Sequence, residues 1–332
     1  MSTLHSGLPF SFQQSILIHI FSLFYPNSPF FFILFLSPPH TTFQPQGNGL
    51  RWGVSAMQGW RVNMEDSHIH ESDLGNVAPG YGFYGVFDGH GGENCAKIVA
   101  ERFVSFITRQ DGFTQAAATK DIDTLKKLMT KAHFELDAEM WAMPGFNSMN
   151  DRSGCTSVTA LISDTHIIVA NSGDSRSVIG TNKGMKPMSY DHKPYNQIEQ
   201  ARIVAAGSSV SAKRVNGDLA VSRAFGDFCY KQAKNVEAAK QAVTVDPDFI
   251  IHERTENDEF LILACDGIWD VLGNQEVADF VISKMATGME PEIICEELMT
   301  RCLAPDSSMG GLGCDNMTVI LVCFLHNKTY DK

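Results

Sequence analysis

Tyr81-Gly-Phe-Tyr-Gly-Val-Phe-Asp88-Gly-His90-Gly-Gly92 is the stretch whose reading decides the fold. Residues 83–87 form an apolar, aromatic run of strand length, and it stops at once on an acid and an imidazole set among glycines. The pattern predicts a buried strand that delivers Asp88 to its end. The glycines remove Cβ atoms where backbone carbonyls can approach a ligand, and apolar residues at three-and-four spacing over 93–109 predict a helix directly afterwards. An isolated Asp-Gly is most often a tight turn. The weight of this one therefore depends on what the rest of the chain supplies.

Outward from that stretch, strand-like runs recur at 156–162, 166–170, 176–179, 260–264 and 317–324. Helical spacing covers 121–140, 196–206 with Gly207 as its stop, 274–285 and 291–303. The order is irregular and lacks a βαβ repeat, so the expected class is α+β, two antiparallel-rich sheets with helices outside. Residues 47–326 read as one domain with a short tail at 327–332.

Residues 1–46 differ in kind, because Arg51 is the first charged side chain of the Lys, Arg, Asp and Glu set. Residues 15–36 are apolar and aromatic over nearly the length of a membrane span, but Pro26-Asn-Ser-Pro29 divides them into pieces too short to cross alone. The basic flank of a secretory signal and the arginines of a transit peptide are both missing. Three readings stay open: a leader that is non-native or variably used, a membrane anchor, and a disordered tail.

The formal charge of −12 and pI near 5.3 argue against a nucleic-acid grip or an anionic-membrane patch, which need clustered Lys and Arg. Eight scattered cysteines without a Cys-x-x-Cys pair read as reduced thiols, hence a cytoplasmic or nuclear protein, with membrane association through 15–36 as the alternative. A monomer is expected. The sequons at Asn316 and Asn327 are read as chance matches, the first because it leads straight into a strand.

Four further stretches place acids at the ends of apolar runs: Arg61-Val-Asn-Met-Glu65-Asp66, Asn171-Ser-Gly-Asp174-Ser-Arg176, Cys265-Asp266-Gly-Ile-Trp-Asp270 and Cys314-Asp315-Asn316. If those ends converge, Glu65, Asp66, Asp88, Asp174, Asp266 and Asp315 bring a charge of −6, which cannot stay ionised without cations. Oxygen-only ligands suit Mg²⁺ or Mn²⁺, where Zn²⁺ sites recruit His or Cys. Two such ions leave −6 + 4 = −2, which Arg61 lowers further while offering a fork matched to phosphate oxygens. Two ions about 3.5–4 Å apart, bridged by water or hydroxide, are a device for in-line attack on phosphorus, and His90 is suited to protonate the leaving group.

These residues, with Ser153-Gly-Cys-Thr156, Asp191-His-Lys-Pro194, Leu219-Ala-Val-Ser-Arg223-Ala-Phe-Gly-Asp227 and Asp315-Asn-Met-Thr318, resemble the metal-dependent protein phosphatases of the protein phosphatase 2C type, the PPM family. The likeness runs in order over residues 48–325. It implies a β-sandwich of two antiparallel sheets flanked by helices, hydrolysing phosphoserine and phosphothreonine in phosphoprotein substrates on a Mg²⁺ or Mn²⁺ pair. By position, Asp88 would bridge both ions, Gly89 would offer its carbonyl, Asp266 and Asp315 would bind one ion, and Glu65 would hold metal-bound water. Arg61 would bind phosphate, His90 would be the general acid, Asp174 would serve a weaker third ion, and Asp66 would stand behind the ligands. Cys155 stands where the family commonly has Ser. Residue 2 is Ser, so the N-myristoylation of some members is not expected, and 230–242 reads as a polar, helix-prone flap.

Two rival chemistries are weaker. Cys295-Glu-Glu-Leu-Met-Thr-Arg301 has the bare Cys-x5-Arg spacing of cysteine-dependent phosphatases, but it lacks a glycine-rich phosphate loop and sits in a helical pattern. The His-bearing motifs of calcineurin-like metallophosphatases are missing from the sequence.

Overall fold

The computed structural model describes residues 49–307 and 311–326. Ten strands build its centre: β1 Leu50–Met57, β2 Ser67–Glu71, β3 Gly82–Phe87, β4 Ser157–Ile162, β5 His166–Ser172, β6 Arg176–Thr181, β7 Gly184–Pro187, β8 Asp248–Glu253, β9 Asp258–Ala264 and β10 Met317–Phe324. They form two five-stranded sheets, ordered β1-β10-β9-β6-β7 and β8-β5-β4-β3-β2. Every pairing within them is antiparallel. Six helices of seven residues or more lie outside: α1 Asn94–Thr108, α2 Phe113–Thr119, α3 Ile122–Trp141, α4 Gln197–Ala205, α5 Asn274–Met285 and α6 Pro291–Cys302.

The side-chain period of two explains why the central strands read as continuous apolar runs. On β3, Tyr84 and Val86 point between the sheets to meet Val158, Val169, Leu261 and Ile320. Phe83 and Phe87 point the other way, onto Phe103, Leu125 and Met129 of α1 and α3. β10 repeats the device, with Ile320 and Val322 inside and Val319 and Leu321 under α5 and α6. Both faces of each sheet are thus covered, which is the sandwich flanked by helices that the sequence predicts.

The differences have local causes. β2 and β8 are edge strands, β2 mostly polar and β8 reduced to a three-residue apolar centre between polar ends, and β1 carries Arg51 and Gly53 inside its run. The flap at 230–242 forms only the short turns Phe228–Tyr230 and Ala238–Lys240. Its backbone is drawn away from helix by Gln241, whose amide accepts from Ala233 N–H and donates to the carbonyls of Ala233 and Val236.

Among the described residues no helix is long and apolar enough to cross a membrane, and 15–36 lies outside them. The expected localisation is corrected accordingly: the membrane-associated alternative has no support in this fold, and the cytoplasmic or nuclear reading is not carried further. The tail at 327–332 also lies outside the described residues.

Candidate active site

Each acid singled out in the sequence stands at a strand end, and the sandwich gathers those ends. Asp88 follows β3, Asp174 sits in the turn between β5 and β6, Asp266 opens the helical turn Asp266–Trp269 after β9, and Asp315 precedes β10. Carboxylate oxygens of Asp88, Asp174 and Asp266 lie within 4.8 Å of one another. The backbone holds Asp88 in place on both sides, its carbonyl accepting from Thr156 N–H at 2.9 Å and its N–H donating to Thr156 Oγ1 at 3.3 Å. A Cβ at Gly89 would collide with the backbone of Glu65, so only glycine lets the two segments meet here.

Crowding shows in the proton affinities. Burial, then the charges of Asp266, Asp66, Asp174 and Asp315, push Asp88 well above the usual carboxylate range. Burial, followed by Asp174, Asp270 and Asp315, pushes Asp266 up to about 8. Asp66 rises to about 6, chiefly through burial, against the hydrogen bond it accepts from Thr318 Oγ1 at 2.7 Å. A set of buried oxygens so short of counter-charge fits a hard divalent cation such as Mg²⁺ or Mn²⁺. One ammonium, that of Lys193, already reaches in as an ion pair with Asp174.

Not every expected ligand joins the trio. Asp315 faces Arg61, whose Nη2 lies 2.5 Å from its Oδ2. Glu65 is held by its backbone N–H, which donates to Asn316 Oδ1 at 2.8 Å. Asp174, expected at a weaker third ion, lies beside Asp88 and Asp266. Arg61 also lines a cavity of about 340 Å³ with Asp270, Leu312 and Asp315.

His90 lies on the two-residue strand Gly89–His90, which pairs with Gly154–Cys155 and through it with Phe225–Gly226. Its Nε2 lies 2.6 Å from Asp227 Oδ2. Burial lowers its proton affinity, but the charge and hydrogen bond of Asp227, with Asp174 and Glu65 behind, outweigh burial and raise it.

Sequence reasoning missed Asn316, Lys193 and Asp227 as site residues, although all three stand inside quoted motifs. Asn316 is buried and gives both amide protons away, to Gln58 O at 2.8 Å and Asn63 O at 2.9 Å. It fastens the loop carrying Arg61 and Glu65 to the start of β10. Its position directly after Asp315 was the available signal. Cys295 is buried in α6, which leaves its Cys-x5-Arg spacing as helix rather than phosphate loop.

Comparison with known proteins decides the family, since the sequence model of protein phosphatase 2C matches residues 50–309. The chain belongs to the protein phosphatase 2C family. It is 45% identical over 279 residues to a probable protein phosphatase 2C of Caenorhabditis elegans, covering 84% of this chain and 76% of that protein. It is 43% identical over 282 residues to human Protein phosphatase 1A, covering 85% and 72%. A serine-threonine phosphatase 2C from Toxoplasma gondii shares the fold, with a TM-score of 0.69 at 23% identity over 82% of this chain and 94% of that one. This protein phosphatase 2C is accordingly a metal-dependent protein serine/threonine phosphatase, and phosphoproteins are its substrate class.

Proposed function

We propose that residues 47–326 form the catalytic domain and hydrolyse phosphoserine and phosphothreonine at the strand ends that gather Asp88, Asp174 and Asp266. The observation that carries this reading is the meeting of those three carboxylates without enough positive charge to balance them. Asp88, the Gly89 carbonyl, Asp266 and Asp315 would hold a Mg²⁺ or Mn²⁺ pair, with Glu65 acting through water and Asp174 serving a third, weaker ion. Bound there, the ions would supply a water nucleophile at neutral pH and neutralise phosphate charge.

The chain's own groups do the rest. Arg61, with 59% of its side chain exposed beside the cavity, offers its fork to the phosphate oxygens. As water attacks phosphorus, the bond to the seryl or threonyl oxygen breaks, and His90 gives that oxygen its proton. The products are the free hydroxyl side chain and inorganic phosphate. The test is turnover of a phosphothreonine peptide by the full chain before and after chelation. Activity that disappears with EDTA and returns with Mn²⁺ is expected, and unchanged activity after chelation would overturn the assignment.

A further inference from the structure

The segment that carries Asp227 has no part in the reaction as described so far, yet hydrogen bonds hold it on both sides. Gly226 N–H donates to Asp137 Oδ1 at 2.8 Å, from inside α3. Asp137 is in turn paired with Lys231 Nζ at 2.8 Å, and the same ammonium reaches Ala224 O at 2.8 Å. Asp227 N–H donates to Ser153 O at 3.2 Å, and its own carbonyl accepts from Tyr230 N–H at 2.9 Å. Both flanks of Asp227 are thereby tied down.

Its backbone is strained as well. Asp227 adopts φ +51°, the left-handed region that a side chain enters at a cost. What that conformation achieves is visible at the side chain. The carboxyl group is 3% exposed, and its ion pair among the described residues is with His90. A buried carboxylate needs such a donor, because leaving it unpaired is costly.

Room for the pair is made by a third residue. His90, Gly154 and Gly226 lie side by side across the small three-stranded sheet. A Cβ at the middle position, Gly154, would run into both the Asp227 carboxyl and His90 Nε2. The sheet is thus built with a gap where the imidazole and the carboxylate meet. One ring nitrogen is committed to that contact, while 29% of the His90 side chain remains exposed. Only Nδ1 is then left to face a leaving group.

We propose that Asp227 is the positioning residue of His90: its carboxylate accepts from Nε2–H, fixes the ring plane, and makes Nδ1–H the proton delivered to the departing oxygen. This rests on the reading of His90 as proton donor. The logic is that of a base or acid oriented by a third group, in which the partner of one ring nitrogen selects the tautomer and aims the other.

The experiment compares His90→Ala, Asp227→Ala, Asp227→Asn and the His90→Ala/Asp227→Ala double variant in the full chain with Mn²⁺. Two substrates are used, a phosphothreonine peptide and p-nitrophenyl phosphate, whose leaving group scarcely needs a proton. Asp227→Ala is expected to slow the peptide about 10- to 100-fold and the aryl ester much less. Asp227→Asn, which keeps an acceptor oxygen, is expected to recover part of the loss. The double variant is expected to be no slower than His90→Ala, since the two residues act as one unit. In the metal-free protein, ¹⁵N NMR of the neutral His90 ring is expected to show Nε2–H, and a tautomer mixture after Asp227→Ala.

A leaving-group-selective loss in His90→Ala without one in Asp227→Ala, or losses that multiply in the double variant, would overturn the positioning role and leave the proton-donor reading standing. Equal losses on both substrates in His90→Ala would overturn that reading and this inference with it. A neutral wild-type ring protonated at Nδ1 would overturn the tautomer assignment even with every rate as expected.

Discussion

Arg61 Nη2 and Asp315 Oδ2 are 2.5 Å apart although 254 positions separate them in the chain. Their pairing joins the proposed phosphate-binding group to a proposed metal ligand, so each is held by the other before either meets its partner. Both side chains are substantially open, 59% and 35% exposed. A pair that exposed is worth only about 0–1 kcal/mol, which makes it easy to exchange for a phosphate or a cation.

Arg61→Ala is therefore expected to lower kcat/KM on a phosphothreonine peptide about 10- to 100-fold, the loss of a charged hydrogen bond to substrate. Folding stability should change by less than about 1 kcal/mol. Mn²⁺ affinity by calorimetry should stay equal or rise, because Asp315 is released. A fall in Mn²⁺ affinity would place Arg61 in support of the metal site instead.

Asn316 makes the opposite kind of contact, buried and used from both ends of its amide. Asn316→Ala strands the Glu65 N–H and two carbonyls and is expected to cost about 2–3 kcal/mol in urea unfolding. Activity should fall with it, since the same loop carries Arg61. A destabilisation below about 0.5 kcal/mol would show that water replaces the amide without loss.

The crowded carboxylates give a prediction about metal removal. In metal-free protein, Asp266 is pushed up to about 8, so its burial opposes folding wherever the unfolded chain would ionise it. A raised folded value means stability that is full below the unfolded value of 3.8 and lost as pH climbs toward 8. Asp266→Asn is expected to raise the Tm of the metal-free protein at pH 8 and to abolish turnover. Addition of Mn²⁺ should raise the Tm of the wild type but scarcely that of the variant. An equal Mn²⁺ shift in both would remove Asp266 from the ligands.

A second pH effect belongs to α4, away from the metal cluster. Glu199 bonds Arg202 and Arg223 at 2.8 Å each, and Ser222 Oγ donates to it at 2.6 Å. Burial pushes its carboxyl up, but the hydrogen bond from Arg223 and the charges of both arginines outweigh this and hold it at about 2, against an ordinary 4.5. A depressed value means stability that is present above 4.5 and lost as pH falls toward 2. Glu199→Gln is expected to cost about 3–5 kcal/mol at pH 7, where it leaves two buried guanidinium groups short of a partner. The gap between wild type and variant in urea midpoint should narrow at pH 3. A gap that does not change with pH would mean that the charge is irrelevant there.

Much of this protein was legible along the chain. Runs such as 83–87 and 317–324 are buried on both faces, so they read as strands without any knowledge of their neighbours. The acids that end them could be listed for the same reason, and it was their recurrence at several strand ends, rather than any one Asp-Gly turn, that carried weight. Residue type also determined the chemistry, since oxygen donors select hard cations wherever they are brought together.

Which of those acids meet was decided only in three dimensions. Sequence order cannot say that Asp174 joins Asp88 and Asp266 while Asp315 turns to Arg61, because the stacking of two sheets sets those distances. Nor does it show that Asp227 seats His90 beneath a glycine, or that Asn316 fastens the loop bearing Glu65. The Arg61–Asp315, Glu65–Asn316 and His90–Asp227 contacts each join residues more than a hundred positions apart. A local pattern carries no record of such a contact until the backbone has closed around it.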